Sequence, residues 1–209
     1  MKKDILYLGS QSKPRQDLIK LAGIEYKVLK HNSDECVVET GLSFSDYVLS
    51  IAKHKMEMLE LPDTKDFKDG DYIFVLTSDT LVRSVNTKQV LTKPDDLADA
   101  KRMIGVLRQE PAEVVTGCCI EKKVLKNNSW DIEKQNCWVN DTVVEFCVPE
   151  DMVDLFLQRE PNALRASGSA IIENYGQNFL KSVNGSYTSV MGLPLFEVRQ
   201  ALREMGFGF

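Results

Sequence analysis

An apolar run, a serine-rich turn and a helix follow one another within the first 22 residues, and this order constrains the fold more than any other feature. Residues 4–9 read as a short buried strand that ends at Gly9-Ser10. Leu18, Leu21 and Ala22 then recur at helical spacing until Gly23 stops the helix. Residues 25–29 return to strand character, so the chain opens with a strand, a helix and a second strand.

The rest of the sequence continues the alternation. Residues 43–60 read as an amphipathic helix with Phe44, Tyr47, Val48, Ile51, Ala52, Met56 and Leu59 on one side. A strand at Tyr72–Leu76 runs into the polar cluster Thr77-Ser78-Asp79-Thr80, and a helix follows at 95–107. Residues 112–124 and 136–147 alternate as a long hairpin around Lys126–Trp130. A short helix is expected at about 150–158, strands near 166–172 and 178–183, and a last helix from Pro194 to just before Gly206. Helices flanking a mixed sheet are the expected class, α/β, because the hairpin breaks a simple strand–helix–strand order. No composition shift marks a boundary in the 209 residues, so one domain is expected, with two lobes around a central cleft as its one natural subdivision.

Composition excludes several function classes. The longest apolar runs are a few residues, such as Ile73-Phe74-Val75-Leu76, too short to span a bilayer. A net charge of −5 argues against a nucleic-acid polymer as partner, yet leaves room for a small anion held by a few placed cations. The five cysteines show no CxxC spacing and read as reduced, inert thiols of a cytoplasmic protein. His31 and His54 are the only histidines, so a structural zinc site is not expected.

The residues with chemical potential are few. In Leu8-Gly9-Ser10-Gln11-Ser12-Lys13-Pro14-Arg15, Ser12 is placed to cap the helix and Pro14 sits where a missing N–H is tolerated. Lys13 and Arg15 oppose the positive end of the helix dipole, each at a cost of about 0.3–1 kcal/mol. A bound phosphate reverses that sign; a solvated helix start is the alternative. On the 43–60 helix, Lys55 falls within the apolar stripe and Lys53 opposite it. A lysine facing a core must snorkel, find a counter-charge or serve a site. Asp79 stands just beyond an apolar strand, where α/β proteins place ligand groups, although an Asx-turn explains it equally. Asp34-Glu35 add loop carboxylates, and Lys93-Pro94-Asp95 a cation before a helix. Together these are parts that phosphoryl chemistry uses: cations and a divalent metal offset polyphosphate charge while an acid handles the attacking water.

The order of these segments resembles the Maf family. The resemblance rests on Gly9–Arg15, Asp34-Glu35, Tyr47 with Ala52 and Lys55, Ser78-Asp79-Thr80 and Lys93-Pro94. It continues through Val115-Thr116-Gly117, the Thr142–Phe146 strand and the run Gly185–Pro194. It implies an elongated α/β fold similar to that of inosine triphosphate pyrophosphatases, and cleavage of nucleoside triphosphates between the α and β phosphates with Mg²⁺ or Mn²⁺. A homodimer is also implied. By the same resemblance Asp79 is the acid–base residue with Glu35 beside it at the metal, while Ser10, Ser12, Lys13, Arg15, Lys55 and Lys93 hold phosphates. Thr80 matches members that prefer dTTP and UTP. Glu173 stands where those members carry Gln and where members acting on 7-methyl-GTP carry Glu. The turn departs from the usual Ser-Pro-Arg-Arg, so Lys13 and Pro14 depart most from pattern, and Arg165 stands where a Lys is often found. A nucleotide-binding regulator without turnover, or an interaction protein in division and growth control, is the competing expectation.

Overall fold

The structure, a computed structural model, describes residues 3–30 and 41–209. Its elements are β1 (Leu6–Leu8), α1 (Lys13–Leu21), β2 (Tyr26–Val28), α2 (Phe44–Glu57), β3 (Tyr72–Ser84), β4 (Val90–Leu91) and α3 (Leu97–Gln109). They continue as β5 (Ala112–Lys126), β6 (Ser129–Phe146), α4 (Val153–Arg159), β7 (Leu180–Asn184), α5 (Tyr187–Val190) and α6 (Leu195–Glu204). Among the described residues the strands form one mixed sheet in the order β2-β1-β3-β5-β6-β7, with β4 on β3. The fold is therefore α/β with flanking helices, as the alternation of apolar runs predicts. No helix is long and apolar enough to cross a membrane among the described residues.

The chain divides into two compact units, the first Met1–Asp79, Thr116–Val139 and Gly192–Phe209, the second Thr80–Val115 and Asn140–Met191. In the first, β1 pairs in parallel with β2 and β3, matching Leu6 to Tyr26 and to Phe74. Leu6 and Leu8 are fully buried, as a strand flanked on both sides requires. Helix α2 starts where the Ser43 hydroxyl accepts the Asp46 amide at 3.1 Å. Its buried residues Val48, Ile51, Ala52 and Met56 recur at three- and four-residue spacing. Met56 joins Tyr7, Leu29, Ile73, Val75 and Cys119 in one apolar cluster.

In the second unit β4 returns antiparallel on the end of β3, with Val82 opposite Leu91, and β7 pairs antiparallel with β6. Its core gathers Val82, Leu91, Ile104, Leu107, Phe146, Phe156 and Phe179. Helix α3 is capped by Asp96, whose carboxylate accepts the Asp99 amide.

Four expectations are corrected. β3 does not end at Leu76; it runs to Ser84, so Asp79 lies within the strand and not beyond its end. The reason is tertiary: Thr77 and Ser78 are fully buried, and their hydroxyls donate to the carbonyls of Ala52 (2.7 Å) and Gly192 (3.3 Å). Satisfied in this way, polar residues continue a strand that sequence breaks. The hairpin is tighter than expected, with only Asn127-Asn128 between β5 and β6. Both have positive φ (49° and 61°), which is the geometry of a type I′ turn. Residues 166–172 form no strand but a single 3₁₀ turn at Ser167–Ser169, because Gly168 (φ 68°) and Ser169 (φ 54°) are left-handed. Lastly, Cys119 and Cys137 are not free thiols: β5 and β6 bring them together as a disulfide, Cα atoms 4.2 Å apart. Cys118 does point to the other face and stays a thiol, its pKa pushed up by burial.

Candidate active site

Lys55 and Asp79, both expected as site residues, come together in the first unit. Lys55 lies four positions beyond Ile51 on the same buried stripe and is only 7% exposed. Its ammonium donates to the Asp79 Oδ1 at 2.5 Å, with both side chains largely shielded (9% and 13% exposed). Of the three fates open to a core-facing lysine, the structure selects the counter-charge, while Lys53 faces solvent. His54, on the flank of the stripe, is 36% exposed and lies 3.9 Å from Glu57.

The serine-rich turn is tied to β3 through the Gly192 carbonyl, which both Arg15 and Ser78, the residue before Asp79, hold. Ser10 is buried, and its hydroxyl accepts the Ser12 amide at 3.2 Å. The same oxygen meets Arg15 Nη1 at 3.4 Å. Arg15 Nε donates to the Gly192 carbonyl at 2.9 Å, the carbonyl that Ser78 also holds. Ser12 occupies the N-cap of α1, but its side chain makes no capping hydrogen bond. The first turn of α1 carries no acidic residue. It is an N-terminus whose dipole, serines and arginine favour an anion. Pro14 sits in the first turn as expected. Lys13, by contrast, is exposed and pairs with Asp17 one turn on, at 2.5 Å. Exposed to solvent on both sides, that pair is screened and adds little to stability.

The remaining residues belong to the second unit. The Thr80 carbonyl accepts a hydrogen bond from Ser167, 3.4 Å away. The next residue, Gly168, donates its amide to Thr92, the neighbour of Lys93, at 2.9 Å. The 3₁₀ turn at 167–169 thus contacts the segments carrying Thr80 and Lys93. Lys93 is exposed. Glu173 is half-buried, and burial first, then the Glu160 carboxylate, holds its pKa above the ordinary carboxylate range. Tyr187 is likewise raised, by burial and by Glu173. Asp34 and Glu35 lie outside the described residues.

Sequence reasoning gave no role to Thr77 and Ser78, which bond the Ala52 and Gly192 carbonyls, or to Gly192, whose carbonyl holds Arg15. Gly192 carried a signal, since a glycine between two hydrogen-bonding segments often marks a special backbone angle; here φ is 103°.

A chain so arranged has recognisable relatives. A dTTP/UTP pyrophosphatase of Anaeromyxobacter sp. (strain Fw109-5) is 32% identical over 203 residues, covering 96% of this chain and 89% of that protein. One from Cupriavidus pinatubonensis is 30% identical and covers 99% of both chains. Another, from Anaeromyxobacter dehalogenans, is 33% identical over 97% of this chain and 94% of its own. The sequence model described as Maf-like protein matches residues 5–205, so the match takes in every described site residue. The chain belongs to the Maf family.

Proposed function

We propose that the protein is a nucleoside triphosphate pyrophosphatase, releasing a nucleoside monophosphate and pyrophosphate from a pyrimidine triphosphate such as dTTP or UTP. The observation that carries this is the shielded Lys55–Asp79 pair, one residue along β3 from the Ser78 hydroxyl that shares its acceptor with Arg15. The substrate class follows the names of the relatives, which are dTTP/UTP pyrophosphatases.

Each residue has a role in this reading. Ser10, Ser12 and Arg15 bind the phosphates at the start of α1, and Lys93 adds a cation. Lys55 orients the Asp79 carboxylate and offsets charge near it. Asp79 takes the proton from the attacking water. The donor set suits Mg²⁺ or Mn²⁺: such ions need one or two carboxylates, with substrate phosphates and water completing the shell. Asp79 would hold the ion, with Glu35 added by the family resemblance. Bound there, the ion would offset the polyphosphate charge and acidify a water.

Glu173 and Thr80 are assigned to base selection. Uracil and thymine present both donor and acceptor groups. A neutral carboxylic acid offers both in return, whereas a carboxylate only accepts. The raised pKa of Glu173 favours the neutral form at lower pH, and the donor is lost as pH rises through that value. The preference for UTP over purine triphosphates is therefore expected to fall with rising pH in the wild type and to stay level in Glu173→Gln. Pyrophosphate release from a panel of triphosphates, followed over a pH series that starts in the ordinary carboxylate range and runs upward, measures both. A wild-type ranking that ignores pH removes Glu173 from base reading. Absence of pyrophosphate release from every triphosphate removes the enzyme reading itself.

A further inference from the structure

The mechanism above uses Lys55, Asp79 and Arg15 but leaves two buried hydroxyls of the first unit without a task. Thr77 and Ser78 are both 0% exposed in the middle of β3. Successive residues of a strand point to opposite faces, and these two do so with consequence. On one face, Thr77 Oγ1 donates to the Ala52 carbonyl at 2.7 Å, one turn of α2 before Lys55. Asp79, two residues on and on that same face, receives Lys55 itself. On the other face Ser78 Oγ donates to the Gly192 carbonyl, 3.3 Å away, and Arg15 Nε donates to the same oxygen at 2.9 Å. Gly192, with φ at 103°, turns that carbonyl by a backbone conformation other residues rarely adopt.

We propose that Thr77 and Ser78 are positioning residues which index two cations of the site, Lys55 and Arg15, to the strand that carries Asp79. The proposal rests on the pyrophosphatase reading and deepens it. Neither hydroxyl touches the substrate. Thr77 fixes the depth and rotation of α2, and hence where the Lys55 ammonium meets the carboxylate. Ser78 fixes the carbonyl on which the Arg15 guanidinium hangs, and hence the plane in which it meets phosphate. Three consecutive residues therefore place general base and both cations in one frame. Ordinary core residues on a strand contribute no such directional contacts, since an apolar side chain packs without aiming its neighbour.

The test uses the full chain with Thr77→Val, Thr77→Ser and Ser78→Ala. Val keeps the shape of Thr without its hydroxyl, whereas Ser keeps the hydroxyl without the methyl. Steady-state pyrophosphate release gives kcat and KM, and thermal unfolding reports folding. Thr77→Val is expected to lower kcat by roughly tenfold while Thr77→Ser stays near wild type. Ser78→Ala is expected to raise KM by roughly tenfold, and to have no further effect in an Arg15→Ala background. If Ser78→Ala unfolds, Ser78→Cys, which keeps a weak donor, carries the same test. Equal loss in Thr77→Val and Thr77→Ser, or full additivity of Ser78→Ala with Arg15→Ala, overturns the positioning role while leaving the activity in place. A wild-type protein without pyrophosphate release overturns the underlying reading, and the positioning role with it.

Discussion

Asp79→Asn is expected to reduce pyrophosphate release by about 10³-fold or more, the range lost with an acid–base group that also serves a metal. It is also expected to weaken the fold, and the two effects have separate causes. Lys55 meets Asp79 at 2.5 Å with its side chain 9% exposed, so the neutral amide leaves a shielded cation without its counter-charge. Breaking a buried pair from one side costs about 3–5 kcal/mol when water is fully excluded. The Asp79 side chain is 13% exposed, which admits some water and places the expected loss toward the lower end. For a chain of this size that corresponds to a thermal midpoint lower by roughly 10 °C. The double variant Lys55→Met, Asp79→Asn separates the effects, because replacing both charges removes the orphaned cation. It is expected to recover much of the thermal midpoint and none of the activity. Activity near wild type in folded Asp79→Asn would sink the assigned chemistry. Recovery of both properties in the double variant would make the pair structural.

Lys55 is legible in the sequence because helical geometry is strict. Its angular position within the stripe Val48, Ile51, Ala52, Met56 admits few explanations for a charged residue, and the structure buries it there. Asp79 is legible as a residue but not in its setting. Sequence places Thr77-Ser78 in a loop because two consecutive polar side chains break an apolar run, yet both are satisfied by carbonyls distant in sequence, Ala52 and Gly192. No local pattern reports an acceptor more than a hundred residues away. The same limit hides the Cys119–Cys137 pair, whose approach depends on how β5 and β6 align within the sheet. It also hides the 3₁₀ turn at Ser167–Ser169 inside the expected strand 166–172, where small residues and Ile171-Ile172 imitate a strand until the left-handed angle at Gly168 is known. Lys13 illustrates the converse: its charge is visible at a helix start, but its partner Asp17 lies one turn on and leaves it on the exposed side. The fold class survives these errors because it depends on which segments are apolar, not on where each one ends.

A glycine inside a strand is the remaining legible signal, since it marks either a bulge or a close approach of backbones. Gly117 of β5 is the second case. A Cβ there would sit 2.9 Å from Leu49 Cα, 3.0 Å from its amide nitrogen and 3.0 Å from the Val48 carbonyl oxygen. All three atoms are backbone of α2, so no side-chain rotation relieves the contact and the helix itself must move. Gly117→Ala is expected to lower the thermal midpoint by roughly 3–10 °C, the effect of overpacking by one methyl. The larger effect is on turnover. Lys55 is six residues from Leu49 on the same helix, and its ammonium must meet the Asp79 carboxylate within hydrogen-bond range. A displacement near 1 Å at such a contact costs on the order of 10²-fold in kcat. Gly105 supplies the control, because a Cβ in that position of α3 meets nothing within 4 Å. Gly105→Ala is expected to raise stability by about 0.5–1 kcal/mol and leave kcat unchanged. If Gly117→Ala matches the wild type in kcat while its thermal midpoint falls, α2 has tilted about Lys55, and the ion pair rather than the β5 contact fixes the lysine. A fall in both places the register of Lys55 under the control of a residue that carries no functional group.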